Sequence, residues 1–545
     1  MKMTRVRHGF DAEPLLSTPQ FALTCLSVLA TVRVTAVMRA GLLTAVFVAA
    51  LTFPVLEQAQ AVVRYVNPSS ATPTAPFTSW TTAATNIQDA IDAASPGDDV
   101  LVTNGVYATG GRAVFATMTN RVVVNKAVTV RSVNGPQFTS IKGFQVPGTT
   151  NGNGAIRCVY LTNGAVLSGF TLTNGATQKF ADIANAQSGG GVWCSSPAAV
   201  VSNCVFAYNS AGFDGGGVSS GTLFNSIFTG NSAQEGGAAY TATLNNCTLS
   251  NNVGTSGGGA FFGSLSNCVL SANSGTYGGG SYSATLVNCV LNGNSASEGG
   301  AARWGTLLNC TVTGNSASTE GGGTHSSTLT NCIVYFNNAP GGANYTNSSL
   351  TYCCSSPLPP GPGNIALDPL FVDRVGGNFR LQSNSPCINI GLNAAVVTAA
   401  DLDGRPRIVQ NIVDMGAYEF QPGVSGAFIG WLAFYGLPSD GSADYADSDG
   451  DGMNNWQEWR CGTIPTSALS ALRMLPPKRS GANVNLSWQS VPGISYFIQR
   501  STHLAPAGGF ASIATNVAGS IGTTSYTDTN AASAAQLYYR IGVGD

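Results

Sequence analysis

A repeat of 21 or 22 residues in the middle of this chain restricts the folds that the chain can adopt. A unit this short holds two or three short strands with their turns, and it can bury its apolar face only against copies of itself. The repeat therefore predicts a solenoid. It is marked by Asn203-Cys204, Asn246-Cys247, Asn267-Cys268, Asn288-Cys289, Asn309-Cys310 and Asn331-Cys332, with Asn225-Ser226 and Cys353 in the same phase.

The aligned repeats predict strands that stack in parallel. After each Asn-Cys pair comes a β-branched residue, predicted to be exposed, and then a larger apolar residue that points inward with the Cys side chain. A second asparagine column follows. It predicts a left-handed turn and a ladder of stacked amides, because Asn tolerates left-handed turns and its amide can donate to the same group one rung above. The two columns are Val205, Ile227, Thr248, Val269, Val290, Thr311 and Ile333, and Asn209, Asn231, Asn252, Asn273, Asn294, Asn315 and Asn337.

Glycine clusters predict a tight corner in each repeat, since Gly permits positive φ and close approach of neighbouring backbones. The clusters begin at Gly215, Gly236, Gly257, Gly278, Gly299 and Gly321, and a leucine column follows at Leu223, Leu244, Leu265, Leu286, Leu307 and Leu329. Strands joined in parallel through such corners predict a right-handed parallel β-helix. A leucine-rich horseshoe is the competing solenoid, but its Leu spacing is absent.

Composition places the chain among turn-rich all-β proteins. Charged residues are only 9% of its 545 residues and the net charge is -2, so no basic face for nucleic acid is indicated. The 67 glycines fit many turns, while 43% apolar residues are enough for a core and argue against disorder. A chain of this length should hold more than one domain.

The start of the chain predicts export. An apolar run over residues 41–56 precedes Ala59-Gln60-Ala61, which has the form of a signal-peptidase site, so residues 1–61 are interpreted as a leader and Met38 as a candidate initiator. A membrane anchor is the alternative, but Arg33 and Arg39 interrupt the apolar residues before a spanning length is reached. We expect a secreted or cell-surface protein with no permanent membrane span after cleavage.

Most of the 13 cysteines fall in one column of the repeat. Side chains stacked on parallel strands point the same way, which is a poor geometry for disulfides. We expect a buried stack of thiols that behave as small hydrophobes. Disulfides stay open as an alternative among Cys194, Cys353, Cys354, Cys387 and Cys461.

Three groups of motifs resemble known families. Gly-Gly-Ala paired with segments such as Phe206–Asn209 resembles the repeats of polymorphic outer-membrane proteins. Residues 87–94 with 96–100 resemble the capping helix and first strand of pectin-lyase-like β-helices. Residues 368–371, 401–407 and 414–419 resemble the choice-of-anchor Q module of secreted β-helix proteins. These resemblances imply one exported β-helix over residues 62–420, and they specify its substrate hardly at all.

An acidic loop near the C-terminus predicts a structural calcium ion. Residues 447–458 match the D-x-D-x-D-G-x5-E pattern, in which alternate oxygen ligands converge on one hard cation. The predicted ligands are Asp447, Asp449, Asp451, the carbonyl of Met453, Asn455 and Glu458. The loop resembles those of dockerins and thrombospondin type 3 repeats, and an acidic turn without metal is the alternative.

The last part of the chain alternates apolar and polar residues, as in the segment 484–488. It resembles a fibronectin type III-like sandwich with Trp488 in its core. The predicted fold class is therefore all-β, namely a right-handed parallel β-helix followed by a small calcium-loop segment and a β-sandwich. The predicted domains are a leader over 1–61, the β-helix over 62–420, the EF-hand-like calcium segment over 421–475 and the sandwich over 476–545.

Two columns beside the glycine corner are candidates for binding. An acidic column of Asp214, Glu235, Glu298 and Glu320 places like charges on adjacent rungs, which is unfavourable without a cation or strong solvation. A second column is aromatic and then basic, and if it faces outward it can stack sugar rings or dock a partner. This stripe consists of Tyr240, Phe261, Tyr282, Arg303 and His325. Mutual stacking that only stabilises the solenoid is the alternative.

Two functions compete. The first is a secreted or cell-surface β-helix protein with a structural, adhesion or glycan-binding role and no catalysis, whose partner is an extracellular polysaccharide or a cell-surface molecule. The second is a polysaccharide lyase or glycoside hydrolase, which needs an acidic pair or a calcium site with a base on one exposed face. Gly97-Asp98-Asp99 matches one polygalacturonase motif, but the other motifs of that family are missing and His325 is the only histidine of the repeats. We therefore favour the first function.

Overall fold

The computed structural model describes residues 61–543 except 115–116, 181, 410, 422–425, 439–442, 503–509 and 532–536. The predicted leader, apart from its last residue, lies outside the described residues. No helix in the described part of the chain has the length and apolar character needed to cross a membrane.

Residues 63–355 form a parallel β-helix whose strands stack into long sheets, as the repeat predicted. The first sheet has 12 strands: Val63–Val66, Asp99–Val102, Thr129–Ser132, Val166–Ser168, Val200–Ser202, Thr222–Phe224, Thr243–Asn245, Ser264–Ser266, Thr285–Val287, Thr306–Leu308, Thr328–Thr330 and Ser349–Thr351. The second has 11: Gly105–Tyr107, Thr139–Lys142, Thr171–Thr173, Val205–Ala207, Ile227–Thr229, Thr248–Ser250, Val269–Ser271, Val290–Asn292, Thr311–Thr313, Ile333–Tyr335 and Cys354–Ser355.

Two further sheets flank the glycine corner. The third sheet has 11 strands: Arg112–Ala113, Thr119–Val124, Ile156–Leu161, Val192–Cys194, Val218–Ser219, Ala239–Tyr240, Ala260–Phe261, Ser281–Tyr282, Ala302–Arg303, Thr324–His325 and Tyr345–Thr346. The fourth has five: Ser232–Glu235, Val253–Ser256, Ser274–Tyr277, Ser295–Glu298 and Ser316–Glu320. All of these strands pair in parallel except Arg112–Ala113, which pairs antiparallel with its neighbour.

Inward-pointing columns fill the interior of the β-helix. Leu244, Leu286 and the other leucines of their column are fully buried or nearly so, and the rings of Phe206 and Phe228 stack at 4.3 Å. The helix Ile87–Ala93 buries Ile87, Ala90 and Ile91, and the Asn86 side chain accepts a hydrogen bond from the Asp89 N–H at its start. A second short helix, Ile183–Ala186, lies in a longer early coil.

The cysteine column is a stack of buried thiols, in agreement with the prediction. The 12 cysteines of the described residues are all free and buried. Along the stack, backbone N–H groups donate to the sulfur of the next rung, as from Cys289 to Cys310 at 3.4 Å. The thiols therefore act as small core side chains that also accept hydrogen bonds.

The second asparagine column forms a buried hydrogen-bonded ladder, but the left-handed geometry assigned to it was wrong. In each rung the Nδ2 group donates to the next asparagine, as from Asn252 to the Oδ1 atom of Asn273 at 2.9 Å, and also to a backbone carbonyl. The left-handed residue is instead the one before each asparagine, such as Asn251 with φ of 56°. The asparagines themselves do not have positive φ, and their amides are buried where all of their hydrogen-bonding groups find partners.

The column predicted to be exposed is covered over its last rungs. Val290, Thr311 and Ile333 are buried, because residues 371–417 return over the second sheet. The Ala417 N–H donates to the Thr311 hydroxyl at 3.0 Å, and Asn288 donates to Ala400 O at 2.8 Å. The repeat alone could not predict this cover. The returning segment holds the hairpin Phe371–Asp373 with Asn378–Leu381 and a 3-10 turn at Asn393–Ala395.

The C-terminal part contains two helices and two small sheets. The helices are Gly426–Phe434 and Asn455–Cys461, and the rings of Phe428 and Trp459 meet between them at 5.3 Å. The sheets are antiparallel and three-stranded: Met474–Ser480, Asn483–Ser490 and Gly522–Asp528, and Ala511–Ala518, Ser495–Ser501 and Tyr538–Val543. They share a core in which Trp488 is fully buried, as predicted.

Candidate functional site

The glycine corner brings the acidic column and the aromatic stripe onto one surface. The first glycine of each cluster has φ between 61° and 66°. A Cβ on Gly299 would lie 2.6 Å from the Ala302 carbonyl oxygen and 3.0 Å from the Arg303 Cβ, so only glycine fits. The side chains before and after this turn therefore meet across it. We call the combined surface the corner strip, made of Asp214, Glu235, Ser256, Tyr277, Glu298 and Glu320 with Ser219, Tyr240, Phe261, Tyr282, Arg303 and His325.

The centre of the corner strip is a stack of rings. Tyr240 and Phe261 stack with centroids 5.6 Å apart, and Phe261 and Tyr282 stack at 5.0 Å with nearly parallel planes. This spacing follows the separation of neighbouring strands. Phe261 is buried and the two tyrosines are half-buried, so the stack offers ring edges and part of its faces to solvent.

Two exposed aromatic residues that the sequence analysis missed extend the stack outward. Phe262 and Trp304 are 45% and 51% exposed, and their rings meet Phe261 and Tyr282 edge-on at 4.5 and 5.1 Å. Both residues have φ of 54°, a conformation that costs about 1–3 kcal/mol for a side chain of this kind. The signal was in the sequence, because the same column is otherwise polar, with Ser220, Thr241, Ser283 and Ser326.

One end of the corner strip compensates its own negative charge. Arg303 forms an ion pair of 2.8 Å with Glu298 and lies 4.4 Å from the ring centres of Tyr277 and Trp304. The Arg303 Nε atom donates to the Nδ1 atom of His325 at 3.4 Å, so the Nε2 atom of that ring donates to Glu320 at 3.1 Å. His325 is 6% exposed, so the stripe does not face outward at this residue.

A cluster of metal-type ligands lies at this same end. Side-chain atoms of Glu298, Glu320 and His325 lie within 4.8 Å of one another. The Arg303 guanidinium already supplies positive charge to this cluster, so it needs no metal ion to offset the two carboxylates.

The other end of the corner strip leaves two carboxylates uncompensated. Asp214 and Glu235 face each other on adjacent rungs, and Asp214 is only 5% exposed. Ser188 donates to the Asp214 Oδ2 atom at 3.1 Å, while Oδ1 accepts no hydrogen bond from any described residue. Burial, with the nearby Glu235 charge, raises the pKa of Asp214 to about 6, and burial also raises the pKa of Glu235. Burial and both of these charges raise the pKa of Tyr240.

The acidic loop predicted to bind calcium folds into a compact turn. The Asp447 carboxylate accepts hydrogen bonds from the N–H groups of Gly450 at 2.8 Å and Gly452 at 2.9 Å, and both glycines have positive φ. Carboxylate oxygens of Asp447, Asp449 and Asp451 lie within 4.8 Å of one another. The helix Asn455–Cys461 follows directly, with Asn454 and Gln457 capping its start.

Four buried oxygens of this loop accept no hydrogen bond from described residues. They belong to Asp449, Asp451, Asn455 and Glu458, at alternating or helix-spaced positions of the pattern. Burial, together with the charges of Asp449, Asp451 and Asp447, raises the pKa of Glu458 to about 8. Oxygen atoms of this number and kind fit a hard cation such as Ca²⁺.

The loop region contacts the end of the β-helix through two arginines. The guanidinium of Arg405, which is buried, lies 3.4 Å from the ring centre of Tyr445 and 4.6 Å from that of Trp456. Arg380 adds a second contact with Tyr445 at 4.8 Å and pairs with Asp403. The order of the acidic loop is thus coupled to the returning segment of the β-helix.

Comparisons with known proteins return structures only. No protein-family model and no curated protein matches the chain. Solved structures that match include pectate lyase Pel9A, at 15% identity and a TM-score of 0.44, over 67% of this chain and 97% of that one. They also include the A-module of mannuronan C-5 epimerase AlgE4 of Azotobacter vinelandii, at 14% identity and a TM-score of 0.30. This match covers 51% of this chain and 82% of the module. A rhamnogalacturonan lyase matches at 13% identity and a TM-score of 0.30, over 70% and 100%.

These similarities carry no argument about activity. The parallel sheets of the chain define it as a parallel β-helix protein. Its candidate functional residues lie in the corner strip and in the acidic loop.

Proposed function

We propose that this chain is a secreted or cell-surface β-helix protein that binds an extended polysaccharide along the corner strip without catalysis. The observation that carries the proposal is the pair of exposed aromatic residues, Phe262 and Trp304, on a strained backbone column. The positive φ is shared by Ser283 and Ser326 and so belongs to the turn, which small polar residues satisfy. The turn therefore does not require aromatic side chains at Phe262 and Trp304. Exposed rings next to a stack of half-buried tyrosines offer apolar faces to sugar rings.

The shape of the strip suits a linear ligand. Six rungs at the strand spacing extend over about 24 Å, and their side chains are polar at both ends and aromatic in the centre. Hydroxyl groups of a sugar chain can bond to the carboxylates at the ends while its rings rest on the aromatic centre. The alternative of stacking that only stabilises the solenoid does not explain why Phe262 and Trp304 are exposed.

The test is a glycan array with the full chain, followed by titration of the best ligand. The variants Phe262→Ser and Trp304→Ser keep the fold, because Ser283 occupies the same column between them. We expect each variant to lose about 0.5–1.5 kcal/mol of binding free energy. Trp80→Ala removes a comparably exposed tryptophan outside the strip and should leave binding unchanged. Equal binding by all four proteins would rule out the strip as the binding site.

A catalytic role is the second candidate, and one observation favours it. A carboxyl group with a pKa of about 6 beside a second carboxylate is a common acid–base arrangement. Against it, Asp214 is almost wholly buried, whereas a general acid has to reach the bond that it protonates. Incubation with pectin, alginate and chondroitin in the presence of calcium tests this role, and new unsaturated products or reducing ends would establish it.

We further propose that the acidic loop, in an EF-hand-like segment over residues 421–475, holds a structural Ca²⁺. The residues that would hold it are Asp447, Asp449, Asp451, the Met453 carbonyl, Asn455 and Glu458. Bound calcium would supply the positive charge that offsets the repulsion among these carboxylates. The chain's own contribution is a turn fixed by Gly450 and Gly452 and a helix that presents Glu458 from its first turns. Calorimetric titration of the full chain should detect one calcium, and Glu458→Gln should abolish the uptake.

The remaining modules follow from the sequence resemblances. We infer that residues 62–420 end in a choice-of-anchor Q-like module and that residues 476–545 are a fibronectin III-like sandwich. Export after cleavage near residue 61 would place all of them outside the cell. Sequencing the mature N-terminus tests the export step, and a start well before Val62 would contradict it.

A further inference from the structure

The corner strip contains two pairs of neighbouring carboxylates, and only one pair has a cationic side chain beside it. Like charges lie on adjacent rungs at Glu298 with Glu320 and again at Asp214 with Glu235. At the first pair, the guanidinium of Arg303 binds one carboxylate and lies on two aromatic rings. Among the described residues, no lysine, arginine or histidine forms an ion pair with either member of the second pair.

The second pair is built in the same way but lacks the cation. Glu235 is half-buried at the surface of the strip, and Asp214 lies behind it with a buried Oδ1 atom that accepts no hydrogen bond from described residues. Tyr240 lies five residues after Glu235, across the glycine corner, as Arg303 lies after Glu298. A buried carboxylate without a donor or a countercharge costs free energy, and a cation bound at the neighbouring Glu235 would lower that cost.

A segment of the preceding coil fixes Asp214 in this position. The Gly189 N–H donates to the Asp214 carbonyl at 2.8 Å, and the Thr177 hydroxyl accepts from the Gly212 N–H at 2.7 Å. The coil that contains this segment is longer than the later rungs, since Phe170 and Cys204 are 34 residues apart in equivalent positions. The extra residues of this longer coil thus hold the Asp214 carboxylate in a buried position at one end of the strip.

We propose that the Asp214–Glu235 end of the corner strip binds the ammonium group of an amino sugar, so that the polysaccharide bound along the strip carries free amino groups. The inference rests on the proposed function, in which the strip binds a polysaccharide. Arg303 shows that this surface can hold a nitrogen cation, because its guanidinium pairs with a carboxylate and lies over aromatic rings.

The chemistry of the pair favours an ammonium group over the other cations and anions. An ammonium group needs few acceptors and gains from an aromatic face. Glu235 supplies the carboxylate at the surface and Tyr240 the ring, while the buried charge of Asp214 attracts the cation from behind Glu235 without touching it. A calcium ion takes six to eight oxygen ligands, and two carboxylates with one phenol fall short of that number. A polyuronate would meet the negative end of the strip and be repelled.

The experiment compares three hexasaccharides by calorimetric titration of the full chain at low ionic strength and near neutral pH. They are a glucosamine hexamer, its N-acetylated form and a galacturonic acid hexamer. The variants are Glu235→Gln and Asp214→Asn, and Asp373→Asn is the control because it removes one exposed carboxylate outside the strip.

We expect the glucosamine hexamer to bind about tenfold more tightly than the N-acetylated hexamer. Glu235→Gln and Asp214→Asn should remove this advantage without weakening the N-acetylated hexamer, and Asp373→Asn should keep it. Equal affinities for the two hexamers, or an advantage that survives both variants, would overturn the inference and leave the proposed function standing. Tightest binding of the galacturonic acid hexamer would also overturn it. Absence of binding for all three would overturn it too, whereas the proposed function would be overturned only if the glycan array also showed no binding.

Discussion

Replacing Asp214 with asparagine should stabilise this protein at alkaline pH, although most substitutions of buried residues destabilise. Burial raises the pKa of Asp214 from 3.8 to about 6, with Glu235 adding to the effect. A carboxyl group whose pKa is higher in the folded state binds protons more tightly there. Folding stability is therefore lost as the pH rises from about 4 to about 6, and the loss is complete above that range.

The structure sets the size of the effect. This rise in the pKa of Asp214 lowers the free energy of unfolding at pH 8 by at most about 3 kcal/mol. We expect a loss of roughly 1–3 kcal/mol, because Glu235 remains partly solvated. Asparagine carries no charge, fits the same space, still accepts from Ser188 and can donate to Glu235. Asp214→Asn should therefore raise the free energy of unfolding at pH 8 and change it little at pH 4.

Denaturant unfolding of the full chain, followed by the circular dichroism of its strands, measures this difference at the two pH values. Asp373→Asn is the matched control, and its effect should stay within about 0.5 kcal/mol at both. A variant that is destabilised equally at pH 4 and pH 8 would refute the reasoning, because it would mean that folding does not shift the pKa of Asp214. Greater destabilisation at pH 8 would also refute it, because the carboxylate would then be stabilised by a partner. Together with weaker binding of the glucosamine hexamer, a more stable variant would show that the pair is kept for binding.

Three other perturbations test separate parts of the structure. Calcium at about 100 times its dissociation constant should stabilise the chain by roughly 2.7 kcal/mol in thermal unfolding, and Glu458→Gln should remove the effect. Asn273→Ala should cost more than about 3 kcal/mol in denaturant unfolding, since it leaves several buried groups of the ladder without partners; a cost near 1 kcal/mol would contradict the ladder. Gly257→Ala should destabilise by several kcal/mol, roughly, because its Cβ would lie 2.2 Å from a carbonyl oxygen, whereas Gly293→Ala, with nearly the same φ and open space, should cost about 1–2 kcal/mol. Similar costs for the two glycine variants would mean that the corner is not sterically closed.

The repeat predicted the β-helix because its information is local and periodic. Cys268, Leu270 and Asn273 each recur one rung away in a position with the same surroundings, so one rung describes all the others. The cover over Val290, Thr311 and Ile333 escaped prediction because it depends on residues about 100 positions later in the chain. No period in the sequence records such a contact.

The candidate site was predicted in part. The acidic column and the aromatic stripe were recognised, but as two surfaces, since spacing alone does not show that the glycine corner folds them together. The burial of His325 could not be predicted from its spacing either, because it depends on contacts with Arg303 and Glu320. Phe262 and Trp304 stand out in the sequence as aromatic residues in a polar column, but only the structure shows that they are exposed beside the ring stack.

The acidic loop illustrates the opposite case. Its spacing alone singled out Asp449, Asp451, Asn455 and Glu458, whose buried oxygens accept no hydrogen bond from described residues. Its contact with the β-helix, through Arg405 against Tyr445 and Trp456, could not be read from that spacing, because the arginine belongs to a different element. A motif within one segment can be predicted from the sequence, whereas contacts between segments are seen only in the folded structure.

A crystal structure of the full chain with a bound glucosamine hexamer tests the central claim most directly. The sugar chain should lie along the corner strip, with rings against Phe262 and Trp304 and an amino group within hydrogen-bond distance of the Glu235 carboxylate. Sugar density on another face of the β-helix, or a strip that stays free of sugar at concentrations that saturate binding in solution, would contradict the account.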